Sequence, residues 1–360
     1  MEFADVTHSP RGLNVDSVAE IDSSQFKLVP KVTISDNTSE VFCVRFSPDG
    51  KFLTAGCGDG AIRVFNTSTG VLTYNLQGGS SIALPTTSIR FRPVNAASRT
   101  KNVFLAANAA GAVQHWHMTS GKCLHTLEDD DNQVYALDYN EEGTHFATAG
   151  RDKAVRVYDE ATKTLISKMQ GGARVSPRDT PGHSNRIFSA KFAPTDQNIV
   201  VSGGWDNTVQ FWDIRVGAAV RSLYGPHICG DSLDIVNNEI VTGSWRPDNQ
   251  LELWDFGSGS RITTIPFNSR FGGSSNSCML YAAQFSKESQ GHFIVAGGSG
   301  ANEAKVFDHH NGNSLVGTIT GLSRGIFTAD FSAGDFGKFA VAGGDATIRI
   351  FDIVSKDSTA

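Results

Sequence analysis

Short stretches in which apolar and polar residues alternate recur along the chain, and turns rich in glycine and aspartate separate them. Typical stretches are VFCVRF, VYALDY, IFSAKF and IFTADF, each followed by a segment that ends in small residues such as TAG, SGG or AGG. Alternation with a period of two over such short runs is the pattern of antiparallel β-strands. The chain is therefore predicted to be all-β, with many short strands joined by tight turns.

The strands group into seven units that repeat one order of features. The third strand of each unit ends in an aromatic residue, and these aromatics follow one another at intervals of 42 to 54 residues: Phe65, Trp116, Tyr158, Trp212, Trp254, Phe307 and Phe351. Six residues earlier, five units carry an aspartate: Asp59, Asp152, Asp206, Asp248 and Asp345. Because the aspartates recur at one offset, they are interpreted as structural residues that order a turn rather than as catalytic carboxylates. Units two and six have Ala110 and Ala301 there and are expected to be held by packing alone.

Repeats of roughly 40–45 residues with four strands and a Trp-Asp ending are typical of propeller blades. Over residues 26–354 the chain resembles the WD40-repeat family, and unit four matches its pattern best, with His183, Ser202, Asp206 and Trp212 in the family's order. The resemblance implies that these four side chains form a structural hydrogen-bond network. It also implies an all-β fold, a seven-bladed WD40 β-propeller.

The last unit stops after three strands, whereas FKLVPKVTIS at residues 26–35 is an unassigned strand at the other end of the chain. The N-terminal strand is therefore predicted to complete the last blade, which would remove exposed sheet edges. Residues 1–25 are expected to form a disordered tail, and 355–360 a second tail. The blades are predicted at 41–76, 86–127, 133–169, 183–223, 227–265, 280–319, and 325–353 together with 26–35.

The sequence contains none of the patterns that indicate catalysis or a cofactor. Its glycine runs do not fit GxGxxG or GxxxxGK[ST], and its five cysteines form no CxxC pair, so no catalytic residue, cofactor or metal ligand is predicted. The net charge of −6 argues against direct binding of nucleic acid, and no apolar run reaches the roughly 18 residues that span a bilayer. The expected partners are other proteins or peptides. A cytoplasmic location is expected, with a nuclear or ciliary one left open.

The second residue of the first strand is aromatic in five units, at Phe42, Tyr135, Phe188, Tyr281 and Phe327, whereas units two and five have Thr87 and Asp231. The resemblance places this position near the entrance of the central channel. A ring of aromatics there is expected to hold a peptide or an Arg or Lys side chain. The alternative is that the rings pack the channel shut.

The turns before the third strands carry further candidates, namely Arg151, Trp205, Trp245 and Arg246. The resemblance places these turns on the top face, so the four side chains are expected to be exposed near the same entrance; in the alternative, each tryptophan lies flat over its neighbour. The long loops 170–182 and 266–279 are expected on that face as well. Arg215 ends Trp-Asp-Ile-Arg, which resembles the box that docks some WD-repeat proteins on the adaptor of a cullin–RING ubiquitin ligase.

These features predict a non-catalytic scaffold or assembly subunit of a multiprotein complex that binds its partners on the top face. A ligase substrate receptor acting through Arg215 and an enzyme with a propeller fold are the two alternatives.

Overall fold

The computed structural model describes residues 17–21, 24–35, 37–77, 84–95, 102–129, 131–171, 182–267, 277–288 and 290–359. These residues form 29 strands and two short 3-10 helices, and the strands make seven antiparallel sheets. The chain begins with β1 (Ser17–Glu20) and β2 (Phe26–Ile34), which lie in different sheets.

The first three blades follow one another along the chain, each with four strands in sequential order. Blade one contains β3 (Val41–Phe46), β4 (Phe52–Cys57), β5 (Ala61–Asn66) and β6 (Leu72–Gln77). Blade two contains β7 (Thr86–Phe91), β8 (Val103–Asn108), β9 (Ala112–His117), the 3-10 helix Met118–Ser120 and β10 (Lys122–Glu128). Blade three contains β11 (Val134–Tyr139), β12 (His145–Gly150), β13 (Val155–Asp159) and β14 (Leu165–Met169).

The remaining blades keep the same strand order. Blade four contains β15 (Ile187–Ala193), β16 (Asp196–Gly204), β17 (Thr208–Asp213) and β18 (Ala218–Tyr224). Blade five contains β19 (Leu233–Val236), β20 (Glu239–Gly243), β21 (Leu251–Asp255) and β22 (Arg261–Ile265). Blade six contains β23 (Met279–Phe285), β24 (Phe293–Ser299), β25 (Ala304–Asp308) and β26 (Ser314–Thr320). Blade seven contains β27 (Ile326–Phe331), β28 (Lys338–Gly343) and β29 (Ile348–Ser355), after which a 3-10 helix spans Lys356–Thr359.

The first strand of every blade contacts the first strands of both neighbouring blades, and β27 contacts β3, so the seven inner strands close a ring around a channel. Strand β2 pairs with β29 and supplies the fourth strand of blade seven. The predictions of a seven-bladed propeller and of closure by the N-terminal strand are confirmed. No helix in the described part of the chain is long and apolar enough to cross a membrane.

The expectation of a disordered segment at 1–25 is wrong for Ser17–Glu20. These residues pair with β26 and make a fifth strand on the outer edge of blade six, where the Ser17 and Thr320 hydroxyls lie 2.8 Å apart. Val18 packs against the core shared by blades six and seven. The segment is ordered because the unpaired edge of β26 offers backbone hydrogen bonds to a neighbouring strand.

The hydrophobic core lies between the blades rather than within them, since each sheet buries both faces. The third-strand aromatics belong to these inter-blade layers, and Phe65, Trp212 and Phe351 are almost completely buried. One cluster joins Val155 and Val157 of blade three to Val200 and Trp212 of blade four. Close packing of this kind resists rearrangement, so the loops at both ends of the channel stand on a rigid frame.

Candidate functional site

The network predicted for blade four connects four buried side chains. His183 Nδ1 lies 2.8 Å from Asp206 Oδ2, and His183 Nε2 lies 2.8 Å from Ser202 Oγ. Trp212 Nε1 donates to Ser202 Oγ at 2.7 Å. Ser202 and Trp212 are fully buried, and the network connects the second and third strands of blade four to the turn between them.

Asp206 of this network is held as a carboxylate. Burial opposes its ionisation, but hydrogen bonds from His183 and Thr208 and from the backbone N–H of Ser184 outweigh that effect and lower its pKa. A carboxyl group with a lowered pKa does not carry a proton near neutral pH, so Asp206 cannot serve as a general acid.

Three other turn aspartates pair with an arginine four residues later, on the third strand. The carboxylate–guanidinium distances are 2.5 Å for Asp59–Arg63, 2.5 Å for Asp152–Arg156 and 2.8 Å for Asp345–Arg349. Each of these aspartates also accepts the backbone N–H two residues further on. The contacts tie the turn to the blade.

Blade five does not follow this arrangement, and the prediction of a structural role for Asp248 is wrong. Asp248 is exposed, and its carboxylate lies 3.5 Å from Asn249 Nδ2. Seven residues separate the paired positions Gly243 and Leu251, against five between Gly203 and Val209 in blade four, so the offset counted from Trp254 selects a residue at the tip of a longer turn. Arg246 instead binds Glu252 of β21 at 2.8 Å, which exchanges the charges of the turn and the strand.

Blades two and six also contain polar contacts at this turn, so the expectation that packing alone holds them is wrong. In blade two, Asn108 Oδ1 accepts the backbone N–H groups of Ala110 and Ala112, both at 3.0 Å. In blade six, Lys305 Nζ lies 3.2 Å from Glu303 and 4.8 Å from the ring centre of Phe267. The amide of Asn108 in blade two and the carboxylate of Glu303 in blade six thus take over the contacts of the missing aspartate.

The five predicted aromatics line one cavity of about 360 Å³ at the channel entrance. Tyr135 and Phe188 stack at 4.7 Å and form one wall. Phe42 stacks on Phe327 at 5.7 Å, and Tyr281 meets Phe327 edge-on at 5.5 Å, forming the opposite wall. We call this cavity the aromatic mouth; it is lined by Phe42, Thr87, Tyr135, Phe188, Asp231, Tyr281 and Phe327. Its rings leave open space between the two walls.

A second cavity, of about 310 Å³, lies between the two predicted tryptophans. Trp205 and Trp245 are 37% and 38% exposed, and they extend the two walls of the aromatic mouth by contacts with Phe188 at 5.1 Å and Tyr281 at 6.3 Å. We call it the tryptophan pocket; it is lined by Asn185, Trp205, His227, Cys229, Trp245 and Tyr281. Since Cys229 and Tyr281 line both cavities, the two form one continuous surface.

The candidate arginines on this face differ from one another. Arg151 is exposed, as expected. Arg246 is largely engaged, because its guanidinium donates to the carbonyls of Gly225 and Asn249 in addition to Glu252. Its side chain is therefore half-buried, whereas the sequence predicted an exposed residue. Arg186, which the pattern did not select, lies with Cζ 5.4 Å from the ring centre of Trp205.

The floor of the aromatic mouth is closed by ion pairs. Asp231 of blade five binds the guanidinium groups of Arg45 and Arg90, from blades one and two, and accepts a hydrogen bond from Ser189 at 3.1 Å. Burial, with Arg90 nearby, lowers the pKa of Arg45 to about 10, and burial lowers the pKa of Lys191 to about 8. Burial therefore disfavours the charged forms of these cations, and a further positive charge at this level of the channel would be unfavourable.

A ring of seven side chains follows below the floor, one from each inner strand: Arg45, Arg90, Asp138, Lys191, Asp234, Gln284 and Asp330. We call it the charged ring. The three aspartates each accept a backbone N–H from the next blade, at Phe192, Phe285 and Phe46. The ring lines a third cavity, of about 480 Å³, that opens on the opposite face.

Arg215 lies on that opposite face, at the far end of β17 from the turn that holds Trp205. Its Nε and Nη2 donate to the two carboxylate oxygens of Asp213 at 3.0 and 2.7 Å, while the side chain stays 60% exposed. Most of the predicted partner loops at 170–182 and 266–279 lie outside the described residues. Among the described residues, no group of three or more His, Cys, Asp or Glu side chains could hold a metal ion.

Comparison with known proteins gives the following relatives. The 'WD domain, G-beta repeat' family model matches residues 28–66, 121–159 and 175–213. The chain is 23% identical over 228 residues to the WD repeat-containing protein slp1 of Schizosaccharomyces pombe, covering 62% of the chain and 42% of that relative. It is 26% identical over 195 residues to the U3 small nucleolar RNA-associated protein 21 homolog of the same yeast, covering 54% and 19%.

A longer match is the Ribosome biogenesis protein WDR12 homolog of Drosophila mojavensis, 22% identical over 319 residues, with 84% of the chain and 70% of the relative covered. The chain spans less than half the length of the two yeast relatives. The repeat matches and the seven antiparallel blades agree, and the chain belongs to the WD40-repeat family of β-propeller proteins.

Proposed function

We propose that the protein is a non-catalytic interaction scaffold, an assembly subunit that binds a partner protein or peptide over the aromatic mouth and the tryptophan pocket. The observation that carries the proposal is the continuous aromatic surface of these two cavities, in which Phe42, Trp205 and Trp245 are each more than a third exposed. Aromatic side chains on a rigid frame lose little conformational entropy on binding and are the commonest interaction hot spots.

The relatives support a role in multiprotein assemblies without naming one for this chain. Their names refer to ribosome biogenesis, a small nucleolar RNA and, for an Arabidopsis thaliana protein 20% identical over 238 residues, a cofactor of the APC complex. None of these names favours the cytoplasmic location expected from the sequence, and a nuclear assembly is the location that we propose to test first.

Affinity capture from cells that express the full chain tests the proposal. Phe188→Ala and Trp245→Ala each remove a ring from one wall, and we expect each to lower partner recovery by about tenfold or more, the effect of a hot-spot residue worth about 2 kcal/mol. Tyr224→Ala is the matched control, because Tyr224 is an aromatic residue 77% exposed on the outer strand of blade four. Unchanged recovery by both mouth variants, with melting temperatures like the wild type, would contradict the proposal.

The alternative of a ligase substrate receptor depends on Arg215. The bidentate contact with Asp213 already occupies one edge of its guanidinium. No observation favours this alternative over the scaffold.

A further inference from the structure

We propose, on the basis of the function proposed above, that the segment bound at the aromatic mouth is an acidic peptide. Its apolar side chain fills the mouth, and a neighbouring carboxylate binds Arg151 and Arg186 at the rim. From the sequence alone, we expect either a peptide or an Arg or Lys side chain to occupy the aromatic mouth. Two features of the structure, one at the floor and one at the rim, select between them.

The floor of the mouth does not suit a cation. Asp231 is the one carboxylate among the described residues that line the cavity, and it already binds Arg45 and Arg90. A lysine or arginine from a partner would have to compete with two fixed guanidinium groups and place its own charge beside them. Like charges in a poorly solvated site repel strongly, so an uncharged aliphatic or aromatic side chain fits better.

The rim carries positive charge without a carboxylate partner. On this face, the arginines at 63, 156 and 349 are each paired with the aspartate of their own turn. Arg151 and Arg186, in contrast, form no ion pair with any carboxylate of the described residues. Charge-assisted hydrogen bonds to a partner's carboxylate would satisfy both, which is electrostatic complementarity of the kind that sets specificity.

Both arginines lie beside the wall formed by Tyr135 and Phe188. The backbone N–H of Arg151 donates at 3.0 Å to the carbonyl of the residue two positions before Tyr135, and the Arg186 carbonyl accepts the backbone N–H of Trp205 at 3.1 Å. Burial raises the pKa of the Tyr135 hydroxyl, and the nearby charges of Arg186 and Arg151 partly offset that increase. Arg186 also lies over the Trp205 ring, which limits its conformations before a partner arrives. A carboxylate next to the apolar side chain would thus meet two guanidinium groups on one side of the mouth.

The opposite wall gives the peptide a direction. Glu40 and Phe42 both lie against Gly58 in blade one, so a carboxylate stands beside the far wall. The same wall has Arg324 in blade seven, next to Phe327 at Gly344, so repulsion of an acidic residue is confined to the part of the wall formed by blade one. Such a residue would be attracted at blades three and four. The acidic flank is therefore expected over Arg151 and Arg186, with a neutral or basic flank over Glu40.

Fluorescence anisotropy with purified full chain tests the proposal, using labelled hexapeptides that contain one Phe or Leu flanked by Glu, Gln or Lys. We expect the Glu-flanked peptides to bind at least about tenfold more tightly than the Lys-flanked ones, with a difference that shrinks as salt rises. The double variant Arg151→Glu/Arg186→Glu should reverse this preference. Phe188→Ala should weaken all peptides, and Arg215→Ala, an exposed arginine on the opposite face, should change none.

Equal binding of Glu- and Lys-flanked peptides, preference for Lys, or no binding of any peptide would each overturn the inference. A labelled oligouridylate provides a further arm, because stacked bases and phosphates also suit aromatics and arginines. Tighter binding of the RNA than of the acidic peptides, lost in the same variants, would overturn it too. If the peptides show no charge preference but Trp245→Ala still loses its cellular partner, the inference fails while the proposed scaffold function stands.

Discussion

Blades four and five are neighbours with similar third strands, TVQFWD and LELWD, yet their polar contacts differ. Both retain a hydrogen bond from the third-strand tryptophan to a hydroxyl of the second strand, Trp212 to Ser202 and Trp254 to Thr242. Blade four then continues through His183 to the turn residue Asp206, whereas blade five uses Arg246 and Glu252. The tryptophan–hydroxyl contact is thus the common part, and the turn can be held by either arrangement of charge.

The inner strands of the two blades differ as well. Blade four presents Phe188 at the mouth, and blade five presents Asp231 at the same position. A ring of seven side chains cannot alternate in charge without a break, and here the break puts Arg45 and Arg90 side by side. Asp231 forms ion pairs with both. Blade five therefore has no aromatic side chain at the mouth, because this position holds the carboxylate that binds Arg45 and Arg90.

The largest expected effect is that of Asp231→Asn. Removing the carboxylate takes the ion-pair partner from the buried Arg45 and leaves Arg90 with Asp138 at 3.4 Å, so we expect the free energy of unfolding to fall by about 3–5 kcal/mol. Urea denaturation followed by tryptophan fluorescence measures it. Asp248→Asn is the control in the same blade, because Asp248 is exposed and should leave the transition unchanged. Equal urea midpoints for the two variants would show that Asp231 does not stabilise the fold through Arg45 and Arg90.

His183→Ala is expected to have the next largest effect. It leaves Ser202 and Asp206 buried without their partner, which should cost about 2–3 kcal/mol of unfolding free energy. His227 precedes the inner strand of blade five in the same way but is only half-buried, so His227→Ala should cost about 1 kcal/mol or less. The same denaturation experiment compares them. A larger loss for His227→Ala would reverse the ranking of the two blades.

Exchanging the charges of blade five should have a smaller effect. Glu252→Gln removes a fully buried carboxylate that binds Arg246 and Arg261, and we expect a loss of about 1–3 kcal/mol. The double variant Arg246→Asp/Glu252→Arg recreates the polarity of Asp152 and Arg156 in blade three, and it should recover at least half of that loss. A double-mutant cycle measures the coupling. A double variant less stable than Glu252→Gln would show that the turn is specific for one polarity.

The pH dependence of blade four follows from the lowered pKa of Asp206. A carboxyl with a lowered folded pKa stabilises the fold above the unfolded pKa of about 4, and this stabilisation is lost as pH falls through the folded pKa. Asp206→Asn cannot titrate, so its stability should fall less steeply than that of the wild type between about pH 5 and pH 2. Thermal unfolding across this range measures the two slopes. Parallel curves would mean that Asp206 contributes no ionisation-linked stability.

The features predictable from the sequence are those that repeat locally. The third-strand aromatics, the small residues of the second strands and the aromatics at Phe42 and Phe188 recur at nearly fixed offsets, so the seven blades and the composition of the mouth could be predicted. The contacts that depend on turn length or on distant positions could not. Two additional residues between the paired positions of β20 and β21 shift the offset in blade five, and Arg45 is 186 positions from Asp231.

The sequence pattern also could not show which side chain takes the place of a missing turn aspartate. Asn108 precedes the turn of blade two and replaces an aspartate with its own amide oxygen, although the sequence at the expected position reads alanine. Arg186 could have been noticed, since it lies two residues before Phe188, but only the structure shows that it lies over Trp205 and without an ion pair among the described residues.

The smallest effect is expected for Arg215→Ala, which tests whether the two faces of blade four act separately. Arg215 is exposed and bound to Asp213 at the end of the blade opposite Trp205, so its removal should leave the melting temperature and the partners captured through the aromatic mouth unchanged. Co-purification with a cullin–RING ligase adaptor gives the second readout. Loss of such an adaptor with Arg215→Ala but not with Trp245→Ala would support the receptor alternative and assign the opposite faces to different partners. Loss of the same partner in both variants would contradict the separation, because two sites at opposite ends of a rigid propeller share no side chain.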